Sequence, residues 1–397
     1  MTQEPGPIAR LIHHILEYAV ARSDGDPLLE DICRALVAAG IPLLRMSIST
    51  PAIDPAFRGV SLTWHRGARL ELKAASHTGE GAAEFLRSPI NVLLTDGRRY
   101  ASWRLDGAER YPNLPLLEDL REAGGTEYVI HLVDFAPGTA LMGVAIAFAT
   151  DRAGGFAEPQ RAAFAELLPA IALATCKFNL AGTLREALST YLGPRTGARV
   201  LDGHMRRGEG EAIPAAILLT DLRGFTALAD RDDPSRVVGW LDEHFDALGE
   251  GITTHGGEVL KFLGDGFLAI FPVSDPLARP CAICDDALSA ALLALDRNRE
   301  LNLRRRAADL PELDADIVLH YGSVIYGNVG TGRRLDFTVI GKAVNEASRI
   351  EALCGTAGQP LLLSDAFAER CGRPLQSIGT FPLRGVDKPQ RLWVPRP

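Results

Sequence analysis

Apolar residues recur at helical spacing over residues 8–22, where Ile8, Leu11, Ile12, Ile15, Leu16 and Ala19 share one face. A second helix is predicted over 27–39, with Asp26 as its N-cap. Strand-like runs follow at 43–50, 60–64 and 70–74, then a loop-rich, partly helical stretch from 84 to 126. Two more strands are expected at 127–134 and 139–149, and a long apolar helix at 158–180 opens with Pro159 near its first turn. The expectation is a helix, a mixed sheet and a closing helix. Residues 180–192 keep helical spacing through Leu184, Leu188 and Leu192 and stop at Gly193-Pro194. The Gly- and charge-rich stretch 195–211 completes a connector, which reads as a transmission element or as a plain spacer.

After Ile213 the order becomes strand 215–220, helix 234–254, strands 257–263 and 267–271, helix 280–300 and strand 315–321. This βαββαβ succession predicts an antiparallel sheet with helices on one face. A helix at 342–353, a strand at 360–363 and a hairpin across 381–393 follow. Residues 301–312 are Arg-rich and Leu-spaced and read as a projecting arm; three adjacent arginines suggest RNA, a solvated face or a dimer contact. The fold class is therefore α+β, divided into 1–179, a connector at 180–212 and 213–397.

Composition narrows the function. The chain has 397 residues, 47% hydrophobic and 23% charged, which suits buried cores. Its net charge of −8 argues against a dedicated nucleic-acid binder, whose footprint is a basic face. No secretory signal is legible, and the apolar runs read as too short to span a bilayer, so the expectation is a cytoplasmic chain without a membrane partner. Six cysteines form no disulfide framework; Cys281 and Cys284 make one CxxC, read as a helix face rather than a metal site. His65, His77 and His131 are either metal or haem ligands or simply hydrogen-bonded strand residues.

Two acidic turns carry candidate chemistry. In AAILLTDLRGFT an apolar strand runs into Asp221. A carboxylate beside exposed backbone N–H groups can hold a cation against a phosphate. In KFLGDGFLAIF, Gly264-Asp265-Gly266 is a hairpin turn whose one charge is Asp265. The sheet order brings both strand ends together, and two converging carboxylates favour a divalent metal. A third element, LHYGSVIYGNVGTGRRLDFTVIGKAVNEASRIEAL, combines Gly-rich turns, a returning hairpin and a helix from Lys342. Asn345 and Arg349 are four apart, hence on one helix face, and can steady a phosphorane-like transition state.

Together these motifs resemble the class III nucleotidyl cyclases, the adenylate and guanylate cyclases, over about residues 213–395. The resemblance implies a ferredoxin-like core working as a head-to-tail homodimer with shared active sites. It implies two Mg²⁺ or Mn²⁺ ions on Asp221 and Asp265, and a triphosphate on the backbone of Leu222, Arg223, Gly224, Phe225 and Thr226. It makes Lys261 and Thr338 base-selecting, Asn345 the ribose-orienting asparagine and Arg349 the transition-state arginine. Arg384 stands where the family usually has a phosphate-binding lysine, with Lys388 as a substitute. A lysine donor suits adenine N1 and a hydroxyl can accept from N6, so ATP is the expected substrate and 3′,5′-cyclic AMP the product. A diguanylate cyclase would share the βαββαβ core but offers no place for the Asn345 and Arg349 helix. A guanylate cyclase, or a non-catalytic ATP-binding regulator, keeps the same fold. In the N-terminal half, GGTEYVIHLVD and GVAIAFATDRAGGFAEPQ resemble a GAF-type sensor domain, which implies an unidentified small ligand or protein partner there.

Overall fold

The computed structural model describes residues 5–52, 57–138, 141–273, 279–384 and 389–396. It divides into two compact units, 1–184 and 185–397.

The first unit begins with α1 (Pro7–Ala21) and α2 (Asp26–Ala38). Asp26 is the first residue of α2 rather than its cap: Gly25 takes that place, and the Asp26 amide donates to the Asp24 carboxylate at 3.1 Å. Strands β1 (Arg45–Pro51), β2 (Phe57–His65) and β3 (Glu71–Ser76) follow, then α3 (Gly79–Leu86), α4 (Pro89–Thr95), β4 (Tyr100–Arg104) and α5 (Pro115–Glu122). β5 (Glu127–Asp134) and β6 (Gly143–Thr150) complete a six-stranded sheet of order β3-β2-β1-β6-β5-β4. The expected mixed sheet is wholly antiparallel in its recorded pairings, because every connection is a hairpin or a crossover that returns the chain in the opposite direction. One face packs Met46, Trp64, Ile146 and Phe148 on α1, α2 and the following helix; the other packs Ala145, Ala147 and Ile130 under α4 and α5.

That following helix, α6 (Glu158–Leu192), runs without a break into residues 180–192, the first part of the segment read as a connector, with Pro169 inside it. Its first half is buried through Phe164, Leu167 and Ile171. By length and composition alone α6 is apolar enough to cross a membrane, contrary to the reading from run lengths.

The second unit contains α7 (Pro194–Leu201), β7 (Gly210–Leu222), α8 (Phe225–Ala229), α9 (Pro234–Thr254), β8 (Glu258–Leu263), β9 (Gly266–Pro272) and α10 (Pro280–Ala307). It continues with β10 (Ala315–Gly330), β11 (Leu335–Ile340), α11 (Lys342–Glu351), α12 (Cys354–Ala357), β12 (Leu361–Ser364), α13 (Asp365–Ala368), β13 (Leu375–Phe381) and β14 (Gln390–Pro395). The core order β10-β7-β9-β8 is that of a ferredoxin-like βαββαβ sheet, extended by β12, β14 and β13, with β11 on the overhang of β10. Only the β10–β12 pairing is parallel among the described strands. The last hairpin starts at Leu375, earlier than its sequence pattern indicated.

Helices cover both faces, not one. Residues 215–219 of β7 alternate between two cores. Ala216 and Leu218 face α9 and α10 through Leu248, Ile252 and Leu288. Ile217 and Leu219 face α11 through Ala343, Ala347 and Ile350. The expected projecting arm is docked instead. Asn302 accepts the Leu313 amide at 2.8 Å, and the buried Arg305 donates to Pro311 O and to Glu243, both at 2.7 Å. Cys281 is exposed and Cys284 buried on α10, the helix-face reading of CxxC.

The first unit hangs on one buried carboxylate. Glu127, with a side chain 0% exposed, accepts from Ser102 Oγ at 2.5 Å, from the Phe156 amide at 2.7 Å and from the Arg161 guanidinium. It thus ties β5 to β4, to the turn after β6 and to α6. Only glycine fits beside it at 155, where φ is +75° and a Cβ would lie 2.3 Å from the carboxylate. Burial pushes the Glu127 carboxyl up, but these hydrogen bonds outweigh it and hold it below the ordinary glutamate range. Removing one partner of such a pair costs about 3–5 kcal/mol, so Glu127→Ala should lower the stability of this unit by that order in calorimetry of the full chain. Because the folded value is depressed, the contribution is complete above the ordinary glutamate pKa and is lost as pH falls through the lowered one. The gap between wild type and variant should therefore narrow in acid; a gap constant with pH contradicts the assignment.

Candidate active site

Asp221 is the next-to-last residue of β7, and the antiparallel register sets Asp316 of β10 directly opposite. On the other side, β9 pairs with β7, and the Gly264-Asp265 turn joins β9 to β8. The Phe267 amide donates to Thr220 Oγ1 at 2.9 Å, fastening the turn beside Asp221. A Cβ on Gly266 would lie 1.9 Å from Thr220 O and 3.1 Å from Asp221 Cα, so the backbones approach as only glycine permits. The structure thus brings Asp221 and Asp265 together.

Two further acids join them that sequence reasoning missed. Asp316 is buried on β10, and Glu351 ends α11. Burial pushes Asp221 up to about 6, helped by the neighbouring charges of Asp265 and Asp316. Glu351 is pushed up to about 7 by burial and by Asp221, Asp316 and Asp265. Arg223 answers one of these charges: its guanidinium pairs with both oxygens of Asp316, at 3.2 Å through Nε.

The backbone after Asp221 is partly engaged. The Leu222 amide donates to the Asp221 carboxylate and the Arg223 amide to Asp314 O at 2.9 Å. Gly224, at φ +75°, caps α8, whose first turn leaves the amides around Phe225 and Thr226 without helical partners. A phosphate acceptor would meet residues 224–226 rather than all of 222–226.

Lys261 owes its orientation to an irregularity. The β8–β9 register shifts between Val259 and Lys261, so Lys261 pairs with Leu268 while Phe262 pairs with Phe267. Leu268 lies on the α11 face and Phe267 on the α9 face. The bulge therefore puts the lysine on the α11 side, and Phe262 stacks toward Phe245 of α9 at 4.7 Å between centroids. Lys261 Nζ lies 3.3 Å from the Asp336 carboxylate on β11. Thr338, two residues further on the same face of β11, is 4% exposed, and its Oγ1 has no hydrogen-bond partner. Lys261 and Thr338 thus flank Asp336, a third group that the sequence did not flag.

On α11, Ala343, Ala347 and Ile350 are buried, while Asn345 is exposed and Arg349 half-buried on the neighbouring face. Arg384 lies in an exposed turn; Lys388 is outside the described residues. Among the described residues no three or more His, Cys, Asp and Glu side chains gather closely enough to cage a metal alone. The donor set at Asp221 and Asp265 nevertheless fits a hard divalent cation. It consists of oxygen ligands whose repulsion a cation relieves, and Mg²⁺ sites characteristically draw their remaining oxygens from water and substrate phosphates.

Comparison with known proteins identifies the segment. Residues 211–381 match the family of the adenylate and guanylate cyclase catalytic domain. The chain is 35% identical over 176 residues to an adenylate cyclase of Anabaena cylindrica, covering 43% of this chain and 33% of that protein. It is 33% identical over 156 residues to adenylate cyclase 1 of Rhizobium meliloti, covering 39% and 23%. The chain thus spans about a third or less of the length of these curated relatives. Among solved structures it is similar to the guanylyl cyclase Cya2, at 29% identity and TM-score 0.41, covering 46% of this chain and 92% of that one. The C-terminal unit carries a class III cyclase catalytic domain.

Gly266→Ala should force the turn off Thr220. Overpacking of this kind costs about 1–3 kcal/mol. The urea midpoint of the C-terminal unit should fall accordingly; an unchanged midpoint means the turn is looser than described.

Proposed function

We propose that this cyclase domain turns ATP into 3′,5′-cyclic AMP and pyrophosphate at sites shared by two copies of the chain. The observation that carries the reading is the crowding of Asp221, Asp265, Asp316 and Glu351 at the head of the sheet, beside amides at 224–226. Carboxylates so placed and a triphosphate repel unless divalent cations lie between them. A divalent cation there supplies charge neutralisation and acidifies the ribose 3′-hydroxyl. Asp221 and Asp265 hold it, and the first turn of α8 receives phosphate oxygens. Asp316, neutralised by Arg223, fixes the strand end that aims Asp221.

Lys261 donates to adenine N1, exchanging its contact with Asp336 for the base. The unpartnered Thr338 hydroxyl supplies an acceptor for N6. Asn345 orients the ribose, and Arg349 stabilises charge gathering on the α-phosphate as the 3′-oxygen attacks in line. Arg384 adds charge for the leaving pyrophosphate. Among the described residues no group is assigned as a general base; the proton passes to water or to substrate phosphate.

Two features support pairing of chains. Phe262, Leu263, Leu335 and Ile340 are exposed around Lys261 and Thr338, an apolar rim that a second copy would cover. On α6, Leu173, Leu180, Leu184 and Tyr191 are exposed at intervals of seven, four and seven, the rhythm of a two-stranded seam. The N-terminal unit is read as a regulatory domain. The setting is read as cytoplasmic.

Asp221→Ala should cut cyclic AMP formation by at least about a hundredfold while leaving the fold intact. Arg349→Ala should lower kcat more than it raises KM. Mixing the two variants should restore one sound site per heterodimer; no recovery in the mixture, with each homodimer dead, refutes shared sites. Lys261→Glu should weaken ATP use relative to GTP, and an unchanged ratio in a paired-substrate assay refutes the base-selection argument. Absence of any cyclic nucleotide from wild type with Mg²⁺ or Mn²⁺ favours an ATP-binding regulator instead.

A further inference from the structure

One face of the N-terminal sheet changes character across its width. Register partners share a face, and Arg45, Ser47 and Ser49 of β1 lie opposite Ala149, Ala147 and Ala145 of β6. On the β6 side this face is apolar and filled by Leu93, Leu117 and Leu120 from α4 and α5. On the β2 side the partners of Ser47 and Ser49 are Thr63 and Ser61. Above this hydroxyl-bearing half lies a cavity of about 590 Å³, walled by residues that include Phe85, Ile90 and Leu116. That volume falls within the range of small-molecule sites.

The floor has a charge without a counter-charge. Arg45 donates to Ser47 Oγ at 3.0 Å, to Thr63 Oγ1 at 3.3 Å and to the buried Tyr128 hydroxyl, and among the described residues no carboxylate pairs with it. Ser47 and Thr63 are themselves buried. Their oxygens accept from the guanidinium, and each hydroxyl keeps its own proton to donate. Arg45, Ser47 and Thr63 all line the cavity, so two hydroxyls and the remaining guanidinium N–H groups are gathered in its floor. Ser61 donates to Ser49 at 2.7 Å, extending the polar strip. At the cavity edge Lys73 is already matched by Glu84 at 2.7 Å, while the exposed Glu71 and Asp119 would repel a second negative group.

We propose that this cavity binds a small polar oxyanion, a carboxylate or phosphate monoester with one anionic group and a hydroxylated body. The anionic group sits on Arg45, Ser47 and Thr63, and the hydroxyls of the body reach Ser49 and Ser61. The apolar wall covers the remainder. The site lies wholly within the first unit and owes nothing to the cyclase chemistry.

The test is calorimetric titration and thermal denaturation of the full chain with lactate, glycerol 3-phosphate and ribose 5-phosphate at millimolar concentration, with glycerol and ribose as uncharged controls. At least one anion should bind and raise the melting temperature of the N-terminal unit, and the carboxylate and phosphate arms tell which oxyanion is preferred. Arg45→Gln should weaken that binding at least tenfold. Ser61→Leu, which fills the polar strip and leaves Arg45 with its partners, should do the same and covers the case in which Arg45→Gln fails to fold. Equal binding by the uncharged controls, binding unchanged in a folded variant, or no binding by any anion of the set overturns the proposal.

Discussion

Carboxylates at the head of the C-terminal sheet repel one another, and the strand pairing holds them there regardless. Two unit charges about 4 Å apart, at the effective dielectric of a protein surface, repel by about 4 kcal/mol. Ile217, Leu218 and Leu219, in the strand that carries Asp221, are buried, each worth roughly 1.5–3 kcal/mol. A slip of one residue would relieve the acids but turn every buried side chain of β7 to the wrong core. The hydrophobic register therefore wins, and Asp221 stays opposite Asp316. Part of the repulsion is answered within the chain by Arg223. The rest is left for what binds.

The same reasoning explains which parts of the site could be read from sequence. Asp221 and Asp265 are legible because each closes an apolar run at a turn, where a lone charge stands out. Asp316 does not stand out: it follows Ala315 at the start of an apolar strand and acquires meaning only through a pairing ninety-five residues away in the chain. Glu351 looks like an ordinary polar residue at the end of an amphipathic helix until α11 is laid on the sheet. Asp336 is hidden for a related reason, since its partner Lys261 faces it only because of the bulge after Val259. Strict alternation along β8 would have placed that lysine on the opposite face.

Element positions were more legible than boundaries and layers. The βαββαβ order follows from alternation and helical spacing, which are local. Coverage of both faces does not, because α11 belongs to the tail in sequence and to the core in space. The arm at 301–312 fails as a reading for a different reason. Its charges are real, but Arg305 is buried against Glu243 and over the ring of Trp240, at 5.1 Å, and a charge run carries no information about such partners. The N-terminal half is similar. Its strands alternate clearly, yet Glu127 looks like a surface residue at a strand start until three donors close on it.

The two sheets place their chemistry differently, and the contrast follows from how their faces are filled. In the C-terminal sheet the central strands are apolar on both faces and helices close both, so polar groups are driven to strand ends, turns and the bulged edge. In the N-terminal sheet one face is closed over its central strands, but the other is closed only where alanines let α4 and α5 come down upon it. Where Ser and Thr replace those alanines the strip is hydrogen-bonded within itself and to Arg45, and a cavity stands above it instead of a packed helix. An arginine among them pins the gap open. A polar patch in the middle of a sheet face is thus a structural cost that packing alone does not explain.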